Sequence, residues 1–154
     1  MGNRRWFSIE SKSFEFNVEE CGGILSLCII ERGRNKVHTI SLGTKGMEWL
    51  RQGMIEVHGH PKDIGFIRTL WEDSKTFVLQ KNRNKKGRFL LVIEFGVQRR
   101  HDSLVIPEGD DLWGWRGFSL AMNGILGKIQ LAMEGAGPSK GGQAVPITTT
   151  VRKT

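Results

Sequence analysis

The chain has 154 residues, with 23 lysines and arginines against 16 acids, and a net charge of +7 at neutral pH. This length suits one domain with a real hydrophobic core, and the average charged content does not indicate disorder. No apolar run approaches the roughly 20 residues that span a bilayer, so we expect no membrane association. Two cysteines are too few for a disulfide framework, which favours reduced thiols and a nuclear or cytoplasmic location. The excess positive charge indicates a polyanionic partner.

The first part of the chain predicts four short strands and then a helix. Glycine or charged turns separate runs rich in β-branched and aromatic residues, which read RRWFSIES, SFEFNVEE, GILSLCIIERG and KVHTISLG. The next stretch changes to helical spacing, with apolar residues at Met47, Leu50, Met54 and Val57. This order of elements is typical of an α+β unit.

The second part repeats that order. Its strand-like runs read FIRTLWED, KTFVLQKN, GRFLLVIEFG and DSLVIPEG, and a long helix follows them. The predicted apolar stripe of that helix consists of Trp113, Phe118, Met122, Ile125 and Ile129. After Met133 the composition becomes small, polar and rich in glycine, which predicts a flexible tail.

An internal repeat explains this order. A shift of 63 residues sets SKSF (residues 11–14) over SKTF (residues 74–77). Without a gap, the same shift superposes Leu27 on Leu90, Glu31 on Glu94 and His38 on His101, and one or two inserted residues near IPEGDD bring Trp49 onto Trp113. We therefore predict a first repeat over residues 3–63, a second over 64–132 and a tail over 134–154. Because neither sheet can bury its apolar face alone, both repeats should form one domain.

A basic corner separates the second and third strands of the second repeat. Five cations fall between Lys81 and Arg88, and no acid occurs between Asp73 and Glu94 to neutralise them locally. Such a corner suits a polyanion, and an exposed Phe89 beside it would stack on nucleic-acid bases. The alternative is an ordinary solvated hairpin turn with Phe89 directed into the core.

The segment KNRNKKGRFLLVIEFG resembles the PUR-domain repeat of purine-rich-element-binding proteins, and N-x-x-G-R-F is its most specific part. The resemblance covers roughly residues 3–132. It implies two interlocked β-β-β-β-α repeats that form one α+β domain similar to the Whirly fold. The sequence also resembles short plant proteins with related openings and an IPEG…GW segment before the last helix.

In that family a serine before the second strand, a Lys-x-Asn turn and the phenylalanine of G-R-F contact single-stranded DNA or RNA. The resemblance therefore implies such a partner and a regulatory role. The second repeat keeps the family's serine, asparagine, arginine and phenylalanine at Ser74, Asn84, Arg88 and Phe89, and has Asn82 in place of the lysine. The first repeat has Glu19, Cys21, Leu25 and Ser26 in the corresponding turn and strand. We thus expect the second repeat to provide the main surface.

The candidate nucleic-acid-binding residues are Ser74, Lys81, Asn82, Arg83, Asn84, Lys85, Lys86, Arg88, Phe89, Arg99 and Arg100. The last two lie in another basic turn, where cations extend a phosphate track or equally protect a sheet edge from aggregation. HGHP at residues 58–61 lacks the further ligands of a zinc site and reads as a linker.

No catalytic motif is present, so we expect neither an enzyme nor a cofactor or metal. The alternative function is a repurposed scaffold that serves as a protein-interaction or regulatory module. Homodimerisation is a further possibility, and the sequence leaves these alternatives open.

Overall fold

The computed structural model describes residues 4–60, 65–96 and 102–136, with side chains in the last helix as far as Gly127. The first repeat comprises β1 (Arg4–Ile9), β2 (Lys12–Cys21), β3 (Ile24–Arg32), β4 (Val37–Leu42) and α1 (Thr44–Gly59). The second comprises β5 (Ile67–Glu72), β6 (Lys75–Asn84), β7 (Gly87–Phe95), β8 (Asp102–Pro107), a 3-10 turn (Asp110–Leu112) and α2 (Trp113–Ala136). Each sheet is an antiparallel meander in chain order. The prediction of two four-stranded sheets, each followed by a helix, is confirmed.

Period-two alternation assigns one face of each sheet to the core. The first sheet buries Phe14, Phe16, Leu27, Ile29, Ile40 and Leu42, and the second buries Phe77, Leu79, Leu90, Val92, Leu104 and Ile106. We call this buried side of each sheet its inner face and the opposite side its outer face. The apolar stripe predicted for α1 is confirmed, because Met47, Leu50, Met54 and Val57 are all buried.

The stripe predicted for α2 is partly wrong. Phe118, Met122 and Ile125 are buried, but Trp113 is 48% exposed and Trp115 takes its place in the core. The Trp115 Nε1–H donates a hydrogen bond to the Ile106 carbonyl at 3.0 Å, which satisfies the polar atom of this buried ring. The Ile129 side chain lies outside the described residues. The helix itself continues to Ala136, three residues beyond Met133, where the tail was expected to begin.

The register of the repeat also differs from the ungapped alignment. His38 lies opposite Glu31 in the β3–β4 pair, whereas Asp102 lies opposite Glu94 in the β7–β8 pair. The structural counterpart of His38 is therefore Asp102 and not His101, because the β7–β8 connection contains one additional residue.

The helices are shifted further. In the buried stripe of α2, Trp115 occupies the position that Met47 has in α1, and Phe118 occupies the position that Leu50 has there. Trp49 consequently does not correspond to Trp113, because the 3-10 turn adds residues before α2.

Each helix contacts strands of both repeats. Helix α1 packs against β3 and β4 and also against β5 and β6, while α2 packs against β8 and against β1 and β2. Two glycines allow α2 to approach closely: a Cβ on Gly114 would lie 1.9 Å from the Pro107 carbonyl oxygen, and one on Gly117 would lie 2.0 Å from the Phe7 ring. Neither described helix combines the length and the apolar character that crossing a membrane requires.

A Lys–Glu pair of the first repeat binds the edge strand of the second. Lys12 Nζ lies 2.9 Å from a Glu31 carboxylate oxygen on the inner face of the first sheet. The Val105 N–H donates to Glu31 Oε1 at 2.8 Å, and Lys12 Nζ donates to the Val105 carbonyl at 2.9 Å. The pair therefore satisfies both backbone groups that β8 presents at this point.

The second repeat makes the equivalent arrangement in return. Lys75 Nζ lies 3.2 Å from Glu94, the Ser41 N–H donates to Glu94 Oε1 at 2.9 Å, and Lys75 Nζ donates to the Ser41 carbonyl at 3.4 Å. These positions match those of the first pair when the repeats are superposed. We call the two arrangements the edge clamps, since each covers the backbone of the opposite repeat's edge strand.

Candidate nucleic-acid interface

The basic corner is a tight β-hairpin. Strands β6 and β7 pair as far as Asn84 and Gly87, which leaves Lys85 and Lys86 as the two turn residues. The Lys86 N–H donates to Asn84 Oδ1 at 2.9 Å, and Gly87 adopts a φ of +135°, where a side chain would be strained. The sequence NKKG therefore fixes the turn locally. We call residues 83–86 the basic turn.

The basic turn is open to solvent. Arg83, Asn84, Lys85 and Lys86 are all exposed. Within the described part of the chain, no acidic side chain forms an ion pair with Arg83, Lys85 or Lys86. Three uncompensated cations at one hairpin tip attract the phosphates of a polyanion.

Phe89 lies on the outer face of the second sheet. The core side of β7 is filled by Leu90 and Val92, so Phe89, which alternates with them, points the other way and is half-buried. Its cross-strand neighbours are Asn82 on β6 and Pro107 on β8. The alternative in which Phe89 enters the core is therefore wrong. An aromatic ring and an amide stand side by side next to the basic turn.

Lys81 is directed away from this surface. It shares the inner face with Phe77 and Leu79 and is only 4% exposed. Its ammonium donates to the His60 carbonyl at 2.6 Å and lies 5.6 Å from the centroid of Phe66 and 5.8 Å from that of Trp115. The structure thus separates Lys81 from the exposed cations of the candidate set.

Arg88 is held by an acid that the sequence expectation overlooked. Its guanidinium Nε and Nη2 both donate to the carboxylate of Glu108, and it lies 5.9 Å from the Trp115 ring centroid. The Glu108 N–H also donates to the Arg88 carbonyl at 3.0 Å. The expectation that no local acid neutralises the corner is therefore wrong for Arg88, because β8 returns Glu108 to its side.

The remaining predicted residues do not gather at the turn. Ser74 is exposed, but it precedes β6 at the opposite end of the strand, about 30 Å from the basic turn. Arg99 and Arg100 lie outside the described residues. In the described part of the chain, no group of three or more His, Cys, Asp or Glu side chains is placed to hold a metal ion.

The corresponding hairpin of the first repeat has the opposite character. Its turn is Gly22–Gly23, both with positive φ, and exposed Glu19 and Glu20 lie just before Cys21, the last residue of the preceding strand. Ser26 pairs with Glu19 where Phe89 pairs with Asn82 in the second repeat. Both hairpins have a two-residue turn, but φ is positive at Gly22 and Gly23 and at neither Lys85 nor Lys86. Only the second hairpin carries the cations and the aromatic ring.

The sequence reasoning did not identify the apolar outer face of the second sheet. Trp71 is 76% exposed and Ile67 is 51% exposed, and both occupy outer positions of β5. The sequence of β7 could have predicted this face, because its outward positions Phe89, Leu91, Ile93 and Phe95 are all apolar.

Two β-β-β-β-α repeats with one basic, aromatic hairpin are consistent with a PUR-like two-repeat domain. Comparison with known proteins gives a match to transcription factor Pur-alpha 1 of Arabidopsis thaliana, with 29% identity over 111 residues. The match covers 71% of this chain and 38% of that protein, so the chain corresponds to well under half of its relative. No family model matches the chain. These findings support a distant relationship to PUR-domain proteins.

Proposed function

We propose that this protein binds single-stranded DNA or RNA through the basic turn and the adjacent outer row formed by Asn82 and Phe89. The observation that carries the proposal is a cluster of three exposed cations that form no ion pair within the described residues: Lys85 and Lys86 in the turn, and Arg83 on the inner-face side of β6, one residue from the outward-facing pair of Asn82 and Phe89. A binding protein of this kind needs neither a catalytic group nor a cofactor. The distant similarity to a protein named as a transcription factor supports a regulatory role in the nucleus or cytoplasm.

The proposed contacts divide into two kinds. Arg83, Lys85 and Lys86 bind phosphates, and each contact releases counterions from the strand. Phe89 stacks on a base, while the amides of Asn82 and Asn84 offer donors and acceptors to base edges that are open only in a single strand.

Lys81 and Arg88 act in a different way in this proposal. Their contacts with His60, Glu108 and Trp115 hold β6 and β7 against the start of α2 and the end of α1. While these contacts are made, both residues position the hairpin and do not bind phosphate. We also propose the interlocked, Whirly-like arrangement of the family, supported by the contacts of α2 with β1 and β2.

A salt titration with matched variants tests this function. The affinity of the full chain for a labelled single-stranded oligonucleotide is measured between 50 and about 300 mM salt by fluorescence anisotropy. K85A/K86A removes two exposed cations of the basic turn. R34A/K36A removes two exposed cations from the β3–β4 connection of the first repeat and serves as the control.

We expect K85A/K86A to lower the magnitude of the slope of log affinity against log salt by about 1.4, and the affinity roughly tenfold. The control R34A/K36A should change the slope and the affinity much less. Equal effects of the two variants would reduce the interaction to general charge. No binding by the unmodified protein at low salt, or equal affinity for duplex, would contradict the proposal.

One observation favours the second candidate function, a protein-interaction module. The outer face of the second sheet is apolar over most of its length, and a large exposed apolar surface is typical of protein contacts. The two proposed surfaces adjoin at Asn82 and Phe89, so a protein that covered the whole outer face would compete with a single strand for these two residues.

A further inference from the structure

The two sheets differ in the outward row of residues nearest to the β5–β6 turn or its counterpart. In the second sheet this row consists of Trp71 on β5, Thr76 on β6 and Phe95 on β7, which are direct cross-strand neighbours. The 63-residue shift places Ser8, Ser13 and Arg32 at these positions in the first sheet. The fold therefore does not require aromatic residues here. We call Trp71, Thr76 and Phe95 the aromatic row.

The aromatic row is open to solvent. Trp71 is 76% exposed, the highest value for a large apolar side chain in the described part of the chain, and Phe95 is 38% exposed. Contact of this apolar surface with water has a free-energy cost that a ligand would remove. Among the described residues, neither the Trp71 indole N–H nor the Thr76 hydroxyl has a hydrogen-bond partner, so both are available to a ligand.

The charges around the aromatic row favour an uncharged ligand over a polynucleotide. Every outward position of strands β5 to β8, as far as the structure describes them, is uncharged. Lys75 lies on the inner face, where its ammonium binds Glu94, and the exposed residue Asp73 adds a negative charge to the β5–β6 turn. From the described residues, phosphates would therefore meet an anion at this end of the sheet and no outward cation.

The spacing of the aromatic row matches the repeat of a polyproline II helix. Neighbouring strands lie about 4.8 Å apart, so the backbones of Trp71 and Phe95, on alternate strands, are separated by about 9.6 Å. A polyproline II helix rises ~3.1 Å per residue and has three residues per turn, which gives a repeat of about 9.3 Å. Two residues of such a helix at positions i and i+3 therefore reach both aromatic side chains at once.

We propose that the aromatic row binds an uncharged proline-rich segment of a partner protein, in which prolines recur every third residue. One proline packs on Trp71 and the next on Phe95. The carbonyl groups between them, which a polyproline II helix leaves without internal partners, accept hydrogen bonds from the Trp71 indole and the Thr76 hydroxyl. No two of the four prolines in this chain are three residues apart, so the segment comes from another protein.

This ligand leaves the proposed nucleic-acid site open. Thr76 and Asn82 are six residues apart on β6, so the aromatic row lies about 20 Å from the row of Asn82 and Phe89. A polyproline II segment along the aromatic row crosses the strands and does not run toward the basic turn. The two ends of the same outer face therefore take two different ligands.

Isothermal titration calorimetry of the full chain with synthetic peptides tests the proposal. The probe is an uncharged peptide of about nine residues, with blocked ends and a proline at every third position. A peptide of the same composition with a proline at every second position is the register control, because none of its three prolines are three residues apart.

Four variants accompany the titration. Trp71→Ala and Phe95→Ala each remove one side of the aromatic row. Phe89→Ala, on the same face of β7, and Trp6→Ala, at a residue that is 54% exposed on the outer face of the first sheet, are the matched controls. Circular dichroism checks that all four variants remain folded.

We expect the unmodified protein to bind the probe and to bind the register control at least roughly fivefold more weakly. Trp71→Ala and Phe95→Ala should each weaken binding of the probe at least roughly tenfold, as expected for aromatic residues at the centre of a contact. Phe89→Ala and Trp6→Ala should bind the probe like the unmodified protein. No binding of the probe, equal affinity for both peptides, or equal losses in all four variants would overturn the proposal.

Two further measurements on the same samples identify another occupant. A loss of single-strand affinity in Trp71→Ala would show that bases occupy the aromatic row. A dimer in sedimentation equilibrium that Trp71→Ala dissociates would show that a second copy occupies it, and either result would overturn the proposal. Phe89→Ala is expected to weaken single-strand binding and not peptide binding, so failure of this proposal and failure of nucleic-acid binding are seen separately.

Discussion

His38 and Asp102 occupy equivalent positions in the two repeats and contact each other, with 2.8 Å between His38 Nδ1 and Asp102 Oδ1. Two equivalent positions can meet only close to the axis that relates the repeats. The edge clamps lie on either side of this contact. The contact between the edge strands β4 and β8 is therefore polar, with backbone groups of each edge strand satisfied by the opposite repeat.

The edge clamps should contribute unequally to stability. The Glu31 side chain is 6% exposed and that of Glu94 is 19% exposed, so water compensates a lost ion pair less well at Glu31. We expect Glu31→Gln to lower the free energy of unfolding by about 1–3 kcal/mol in urea denaturation, and Glu94→Gln to lower it less. An equal or larger decrease in the free energy of unfolding for Glu94→Gln would contradict the predicted difference between the two edge clamps.

Asp102 should make stability depend on acid pH. Burial raises its pKa, but hydrogen bonds from the Thr39 N–H, the His38 side chain and the Ser103 N–H outweigh this, so the pKa lies below the usual 3.8. A carboxylate with a lowered pKa stabilises the fold above its unfolded value and loses that effect as the pH falls through its folded value. Asp102→Asn should therefore be less stable than the unmodified protein near pH 5.5, and the difference should shrink near pH 3. A difference that is constant with pH in urea denaturation would contradict the prediction.

The pairing of Arg88 predicts a gain of binding. Glu108→Gln removes the negative partner, which makes the Arg88 guanidinium more available to phosphate. We expect single-strand affinity to rise severalfold and the magnitude of its salt slope to increase by about 0.7. Asp110→Asn, with the same change of charge at a nearby exposed residue, is the control. Identical behaviour of both variants in the anisotropy titration would show that Arg88 is not specifically involved.

The strands, α1 and the division into two repeats could be predicted because they depend on local periodicity. The register errors have a physical origin in inserted residues, which an ungapped comparison cannot detect. One additional residue in the β7–β8 connection moved the equivalent of His38 from His101 to Asp102. The 3-10 turn displaced the stripe of α2, so that Trp115 was buried in place of Trp113.

The sequence could predict the candidate site only for residues whose solvent exposure follows from their position in the hairpin turn. Lys85 and Lys86 lie in a two-residue turn and are necessarily at the surface. The position of Lys81 was available from alternation, because it has the same parity as the buried Phe77 and Leu79. The Arg88–Glu108 ion pair could not be predicted from alternation, because it joins residues that are 20 positions apart and that meet only through the pairing of β7 with β8.

Phe89→Ala gives the most direct test that bases bind on the outer face beside the basic turn, with Phe95→Ala as a matched change on the same column of β7. Affinity for a labelled single strand is measured at about 150 mM salt, where general charge attraction is weak. We expect Phe89→Ala to weaken binding roughly 5- to 100-fold, the range for losing one base–aromatic stack, with an unchanged salt slope. Phe95→Ala should stay close to the unmodified protein. Equal affinities of Phe89→Ala and the unmodified protein would contradict the proposed interface.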